Sequence, residues 1–131
     1  MREKPRGGVV LDVLIAAGLE AAITARDLLE PLRDQVASNK FEDLLLLTTE
    51  LVTNSVRHAN LPPGSELSLR AMLTGEHVRV EVVDPGPGFD PTDLSLQPGG
   101  TSGWGLVLVD RIADRWGVSS RAPTSVWFEL G

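Results

Sequence analysis

The stretch HVRVEVVDPGPGFD, residues 77–90, decides how the rest of the chain is interpreted. Its first eight residues alternate apolar and polar side chains, which predicts a half-buried strand. Asp84 then ends the strand, and Gly86 and Gly88 follow it. An aspartate at this point can accept a hydrogen bond from an exocyclic amine such as that of adenine, and the glycines let backbone approach a flat ring. The alternative is a proline-stabilised turn after an edge strand.

The segments on either side of this stretch predict a mixture of helices and strands. Residues 66–73 alternate and form a hairpin with residues 77–84, whereas residues 19–36, broken at Pro31, and 41–60 have helical spacing. Helical spacing returns over residues 104–116, with Val109, Ile112, Ala113 and Trp116 on one side, and a second strand pair closes the chain. This order predicts an α+β fold, a two-layer sandwich whose mixed, mostly antiparallel sheet carries helices on one face.

The domain organisation follows from the same pattern and from the length of the chain. Residues 1–18 are interpreted as an N-terminal arm with a candidate first strand, and residues 19–131 as a single domain. No apolar stretch approaches the ~18 residues of a membrane helix. The chain has no cysteine, which fits a cytoplasmic protein.

Charge and lysine content exclude two function classes. The net charge is −6 with no visible basic patch, so no direct nucleic-acid binding is expected. A P-loop needs a lysine directly after its glycines. Lys4 and Lys40 are the only lysines, and neither follows such a loop.

The helix predicted over residues 41–60 carries a polar line beside its apolar side. Glu50, Asn54 and His58 are spaced four residues apart, and Arg57 is adjacent. An amide oxygen is a suitable Mg²⁺ ligand, a carboxylate can orient or deprotonate a hydroxyl or water, and an arginine can bind phosphate. A solvated helix face, with His58 as a cap at the helix end, is the alternative.

A second glycine-rich segment, GGTSGWGLVLVD, covers residues 99–110. Gly103 and Gly105 immediately precede the predicted helix, and a helix start with glycine-freed amides can bind an anion. The alternative is a flexible loop with an ordinary cap, for which Thr101 or Ser102 is the candidate. The composition of residues 89–102 suits a mobile lid and equally an idle surface loop.

The three motifs together resemble the N box and the two G boxes of the GHKL (Bergerat-type) ATPases. Asp84 follows Asn54 by 30 residues, and Gly105 follows Asp84 by 21. Within that superfamily the chain most resembles the small bacterial anti-sigma factor serine/threonine kinases. The segments that carry this likeness are ELVTNSVRHA, VEVVDPGPGFDP, GLVLVDRIADRWGV and VWFEL.

The resemblance implies a role for each matching residue. Glu50 would be the catalytic base, Asn54 the Mg²⁺ ligand and Asp84 the reader of the adenine amine. Gly86 and Gly88 would form the backbone of the adenine loop. The remaining candidates for ATP binding are Arg57, His58, Thr101, Ser102, Gly103, Trp104, Gly105 and Leu106. Trp104 departs from the family pattern, which more often has a smaller residue there.

The resemblance also implies an activity and partners. Such proteins bind a sigma factor, phosphorylate a serine or threonine of an anti-anti-sigma (STAS-domain) protein with Mg²⁺ and ATP, and often form homodimers. Two alternatives stay open from the sequence. One is a nucleotide-gated module that binds a sigma factor without phosphoryl transfer, and the other is a structural domain that binds no nucleotide.

Overall fold

A computed structural model describes residues 8–58, 61–85, 106–119 and 123–131, and for His58 the backbone alone. Eight elements make up the described part besides a short 3₁₀ helix. The strands are β1 (Gly8–Ala16), β2 (Glu66–Thr74), β3 (His77–Asp84), β4 (Arg115–Ser119) and β5 (Thr124–Leu130). The α-helices are α1 (Ala21–Leu29), α2 (Ser38–His58) and α3 (Val107–Ile112).

The five strands form one sheet in the order β1-β2-β3-β5-β4. Every neighbouring pair is antiparallel, so the sheet predicted to be mixed, mostly antiparallel, is wholly antiparallel in the described chain. The candidate first strand is present as β1, which pairs with β2 and forms one edge. Gly75 has a φ of +64° in the two-residue turn between β2 and β3, a conformation that glycine adopts without strain.

The core lies between the helices and one face of the sheet. Alternate residues of each strand point to that face, and those of β3 and β5 include Val80, Val82, Val126 and Phe128, all at most 2% exposed. The longest helix, α2, packs against β3, β5, α1 and α3. The predicted α+β two-layer architecture is therefore confirmed.

The predicted break at Pro31 is also confirmed. Helix α1 ends at Leu29, and a 3₁₀ helix, Glu30–Gln35, continues the chain. Arg33 anchors this turn, because its guanidinium donates two hydrogen bonds to the Glu30 carboxylate and lies over the Phe41 ring at the start of α2. The hydrogen bonds from Arg33 lower the pKa of Glu30 from its ordinary value.

The prediction of a helix over residues 104–116 is wrong at the C-terminal end. Helix α3 stops at Ile112, and Ala113 already has extended backbone with a ψ of 147°. Trp116 lies in β4, opposite Phe128 of β5, so strand pairing overrides the helical spacing. The Trp116 indole N–H donates a hydrogen bond to Asp110 of α3 at 2.9 Å.

None of the helices in the described part of the chain combines the length and the apolar character that a membrane crossing requires.

Candidate functional site

The site is built at the end of the sheet where β3 finishes and β5 begins. Asp84 is the last residue of β3 and Thr124 the first of β5, and the two face each other in register. They continue the rows of Val82 and Val126, so their side chains point toward the helix layer. Asp84 is 1% exposed and Thr124 is 2% exposed.

The Asp84–Thr124 pair is polar, whereas the rows of β3 and β5 that it continues are apolar. An ionised carboxylate inside a protein must be matched by hydrogen bonds or charges, since its desolvation is unfavourable. The same face of β3 and β5 carries four buried valines, so the alternation of the two strands predicts an apolar residue at position 84 and not a carboxylate. A buried Asp–Thr pair at the end of a sheet can form hydrogen bonds with a ligand that offers both a donor and an acceptor.

The C-terminal part of α2 reaches the same end of the sheet. Helix α2 ends at His58, and β2 starts at Glu66 after a short connection. Ser65, in that connection, accepts a hydrogen bond from the backbone N–H of Ala17, immediately after β1 ends. Gly18 and Leu19 follow β1 and line a groove with Val52 and Val56 of α2. Because the end of β1 pairs with the start of β2, which in turn pairs with the end of β3, the last turns of α2 lie toward the Asp84 end of the sheet.

Asn54 and Glu50 occupy those last turns, one helical turn apart. Asn54 is 6% exposed and Glu50 is half-buried, so these two members of the predicted polar line face partly inward. Among the described residues, the Asn54 Nδ2 has no hydrogen-bond partner, and neither have the buried hydroxyls of Thr48 and Ser55 on the same helix.

The unpaired buried amide of Asn54 allows us to ask whether the residues present fit Mg²⁺ and a phosphate. Such an amide costs stability unless a ligand completes it, and its oxygen and nitrogen exchange places by a simple flip. A flipped amide presents the oxygen that Mg²⁺ prefers, with the Glu50 carboxylate one turn away. The residues present therefore fit a Mg·ATP site, and Asn54 is the residue that would hold the ion.

The start of α3 adjoins α2. Leu106, which the resemblance associates with phosphate binding, is 1% exposed and belongs to the core. Its carbonyl accepts the backbone hydrogen bond of Asp110, and α3 packs against α2. Leu106 thus anchors the chain beside α2 through its apolar side chain.

Arg57 has a different environment from Asn54. Its side chain is exposed and lines a groove between α2 and the turn before α1, together with Leu19 and Val56. The remaining predicted site residues lie outside the described part of the structure. They are Gly86, Gly88, Thr101, Ser102, Gly103, Trp104, Gly105 and the side chain of His58.

The sequence analysis did not identify Thr124 as a site residue. Its hydroxyl-bearing side chain is the register partner of Asp84, and that relation depends on the pairing of strands 40 residues apart. The alternation of TSVWFEL does place Thr124 on the same face as Val126 and Phe128. A polar residue at the first position of an otherwise apolar row was the available signal.

Comparison with known proteins bears on the fold and on the family. The chain is 38% identical, over 76 residues, to an uncharacterized protein of Streptomyces coelicolor, and the matched region is 56% of this chain and 70% of that protein. A crystal structure of the RsbU and RsbW domains of Rv1364c from Mycobacterium tuberculosis shares the fold, with a TM-score of 0.69 at 21% identity. The match covers 91% of this chain but 30% of that larger one.

The family match covers nearly the whole domain. Residues 15–129 match the histidine kinase-like ATPase domain, a span that includes both the Asp84–Thr124 pair and the Glu50–Asn54 helix. This agrees with the resemblance to the GHKL ATPases. The chain belongs to the histidine kinase-like ATPase domain family.

Proposed function

We propose that this protein binds Mg·ATP at the Asp84 end of the sheet and acts as an anti-sigma regulatory factor with serine/threonine kinase activity. The observation that supports the proposal is that two polar pairs, distant in sequence, lie on elements that pack against each other. Asp84 and Thr124 come from adjacent strands, and Asn54 and Glu50 come from the helix above them. Membership of an ATPase family makes ATP the ligand to expect.

Each residue has a role that its chemistry suits. The Asp84 carboxylate accepts a hydrogen bond from the adenine amine, and the Thr124 hydroxyl donates to the neighbouring ring nitrogen. Asn54 would hold Mg²⁺, which when bound neutralises phosphate charge. The glycines outside the described residues, Gly86, Gly88, Gly103 and Gly105, would supply backbone around the base and the phosphates.

Phosphoryl transfer itself needs positioning and one proton acceptor. A serine or threonine hydroxyl of the partner attacks the γ-phosphorus, its O–P bond forms, and the bond between that phosphorus and the departing ADP oxygen breaks. The hydroxyl proton passes to the Glu50 carboxylate. The half-buried position of Glu50 suits this role, because it is accessible to a partner and still near the buried Asn54.

The partners are proposed on the same basis. The structural likeness to a chain containing RsbU and RsbW domains, together with the motif resemblance, supports a sigma factor as the sequestered protein and a STAS-domain protein as the phosphate acceptor. The proposed location is the cytoplasm, where sigma factors act.

The test combines the protein with Mg·ATP and STAS-domain proteins from the same organism, followed by mass spectrometry of each STAS protein. Phosphate on a serine or threonine is the expected result. Glu50→Gln should retain ATP binding and transfer phosphate at least ~100-fold more slowly. Glu42→Gln on the same helix, whose side chain is 70% exposed, is the matched control and should transfer at the wild-type rate.

Two outcomes would contradict parts of the proposal. Transfer by Glu50→Gln at the wild-type rate would remove Glu50 as the base. Bound ATP that stays intact while a sigma factor is retained would replace the kinase with the nucleotide-gated binding module.

A further inference from the structure

An apolar groove lies beside the proposed ATP site, on the outer side of the helix layer. It runs between the turn before α1 and the C-terminal half of α2 and has a volume of about 290 Å³. The side chains that line it are mainly Leu19, Ala22, Val52, Thr53, Val56 and Arg57. Arg57 follows Glu50 by about two turns of α2, so it lies on the same side of that helix as the proposed base.

The rim of the groove exposes large apolar side chains to solvent. Leu19 is 99% exposed, and Ile23, one turn further into α1, is 62% exposed. A single exposed apolar side chain is common on protein surfaces. Here Leu19 lines the groove and Ile23 is next to the groove-lining Ala22 in α1, so two large exposed side chains lie beside an apolar groove, which favours contact with another molecule. A second groove, lined by Ala16, Glu20 and Thr24 among others, lies on the other side of Leu19.

Charge complementarity indicates what kind of partner fits. Arg57 is the one charged residue among the described residues that line the first groove, and its side chain is exposed. Its guanidinium is therefore the side-chain charge that an occupant of this groove would meet. A guanidinium beside an apolar surface is well matched to a carboxylate, which it can bind through two parallel hydrogen bonds.

We propose that this groove docks an amphipathic helix of a protein partner, with apolar side chains against Leu19 and Ile23 and an aspartate or glutamate paired with Arg57. A helix is the favoured occupant because the groove lies between two helices and presents apolar contacts spaced by one turn. The inference deepens the proposed function and rests on its claim that the ATPase acts on a protein partner. It places that partner on the side of α2 that carries Glu50.

The experiment selects binders from a random 16-residue peptide library displayed on phage. Wild-type protein is the target, and Leu19→Glu/Arg57→Glu is used for counter-selection. Surviving peptides should carry apolar residues at helical spacing with an acidic residue on the same side. Survivors that lack this pattern, or that carry basic residues instead, would overturn the inference, as would a failure to recover any peptide that separates wild type from the variant.

Fluorescence anisotropy with a selected peptide then tests each contact. Leu19→Glu should weaken binding at least ~30-fold, and Arg57→Ala about tenfold. Replacement of the peptide's acid by its amide should add little to the effect of Arg57→Ala, because the two changes remove the same interaction. Leu46→Glu, an exposed leucine of α2 that does not line the groove, is the matched control and should stay within about twofold of wild type.

Two further measurements separate this inference from the proposed function. Leu19→Glu should bind Mg·ATP as wild type does by calorimetry, and its circular dichroism should be unchanged because Leu19 is fully exposed. Peptide binding without ATP binding would contradict the proposed function alone, and ATP binding without groove-dependent peptide binding would contradict the inference alone. A wild-type dimer that Leu19→Glu converts to a monomer would assign the groove to a second copy of the chain and overturn the inference.

Discussion

Two adjacent interior strands, β3 and β5, carry a carboxylate near opposite ends of the sheet, and the surroundings of the two carboxylates differ. Glu129 of β5 faces the open side of the sheet between Arg79 of β3 and Arg115 of β4, its register neighbours on either side. Its oxygens lie 2.9 Å from Arg79, 3.7 Å from Arg115 and 3.8 Å from His77. Its side chain is 13% exposed, so the two arginines compensate a largely buried charge within the fold.

Asp84 of β3 is buried more deeply and faces the helix layer, opposite the neutral Thr124. The arrangement offers an acceptor and a hydroxyl side by side at the end of the sheet. The surroundings of a buried carboxylate therefore distinguish a structural role from a ligand-binding role. The carboxylate among cations holds strands together, and the carboxylate beside a hydroxyl suits recognition of a base. Four substitutions test this contrast, in order of decreasing expected effect.

The largest effect is expected from Asp84→Asn. The amide still fills the space but is uncharged and replaces one of the two acceptor oxygens with an NH2 donor, so affinity for Mg·ATP should fall at least ~100-fold by calorimetry. Glu129→Gln is the matched control, because it changes a carboxylate to an amide on the other face and should keep wild-type ATP affinity. Equal ATP affinity for wild type and Asp84→Asn would remove Asp84 from the site and break the contrast.

Glu129→Gln should act on stability. It leaves the partly buried Arg79 guanidinium without its carboxylate, at a cost of about 1–3 kcal/mol in the free energy of unfolding. Urea denaturation followed by circular dichroism measures the change, with the exposed Glu76→Gln in the β2–β3 turn as control. A loss smaller than that of the control would show that the cations around Glu129 are not structural.

Gly117→Ala tests the packing around Trp127 on the sheet face that carries Glu129. A Cβ at Gly117 would lie 2.8 Å from ring atoms of Trp127, and that ring also stacks under the Arg79 guanidinium at 4.0 Å. We expect a loss of about 1–2 kcal/mol in urea denaturation, since the ring has to move. The cost should shrink in a Trp127→Leu background.

Gly18→Ala is the control for this change, because its added Cβ would have no atom within 4 Å apart from those of its own chain neighbours. Equal costs for Gly117→Ala with and without the tryptophan would refute steric contact with Trp127 as the cause.

The smallest effect is expected from Thr124→Val, which keeps the shape of the side chain and removes the hydroxyl. ATP affinity should fall about three- to tenfold, and Thr124→Ser should restore most of it because the hydroxyl returns. Unchanged ATP affinity in Thr124→Val would show that the Thr124 hydroxyl does not bind the adenine. Asp84 would then be the one residue of the pair that is left to contact the base.

Much of the fold could be predicted because its signals are local. The alternation in β2 and β3, the helical spacing of α2 and the proline break after α1 each depend on side chains within one or two turns of each other. The exception is the end of α3. Spacing alone could not show that Trp116 pairs with Phe128 of β5, because that contact joins segments that are separate in sequence.

The candidate site divides in the same way. Glu50, Asn54 and Asp84 were identifiable from motifs in which residue type and spacing carry the chemistry. The environment of Arg57, which lines the groove beside Leu19, was not, because it depends on how α1 packs against α2. Nor was the position of Thr124, because it depends on the β3–β5 register.

The sequence by itself determined which segments are helical or extended, the α+β class and the residue types able to handle a nucleotide, since these follow from short-range periodicity and from side-chain chemistry. Tertiary structure alone decided that Asp84 meets Thr124, that Asn54 is buried above that end of the sheet and that Glu129 lies among cations. Strand register and helix packing are set by the sum of many distant contacts, each too weak to leave a mark in any one stretch of sequence.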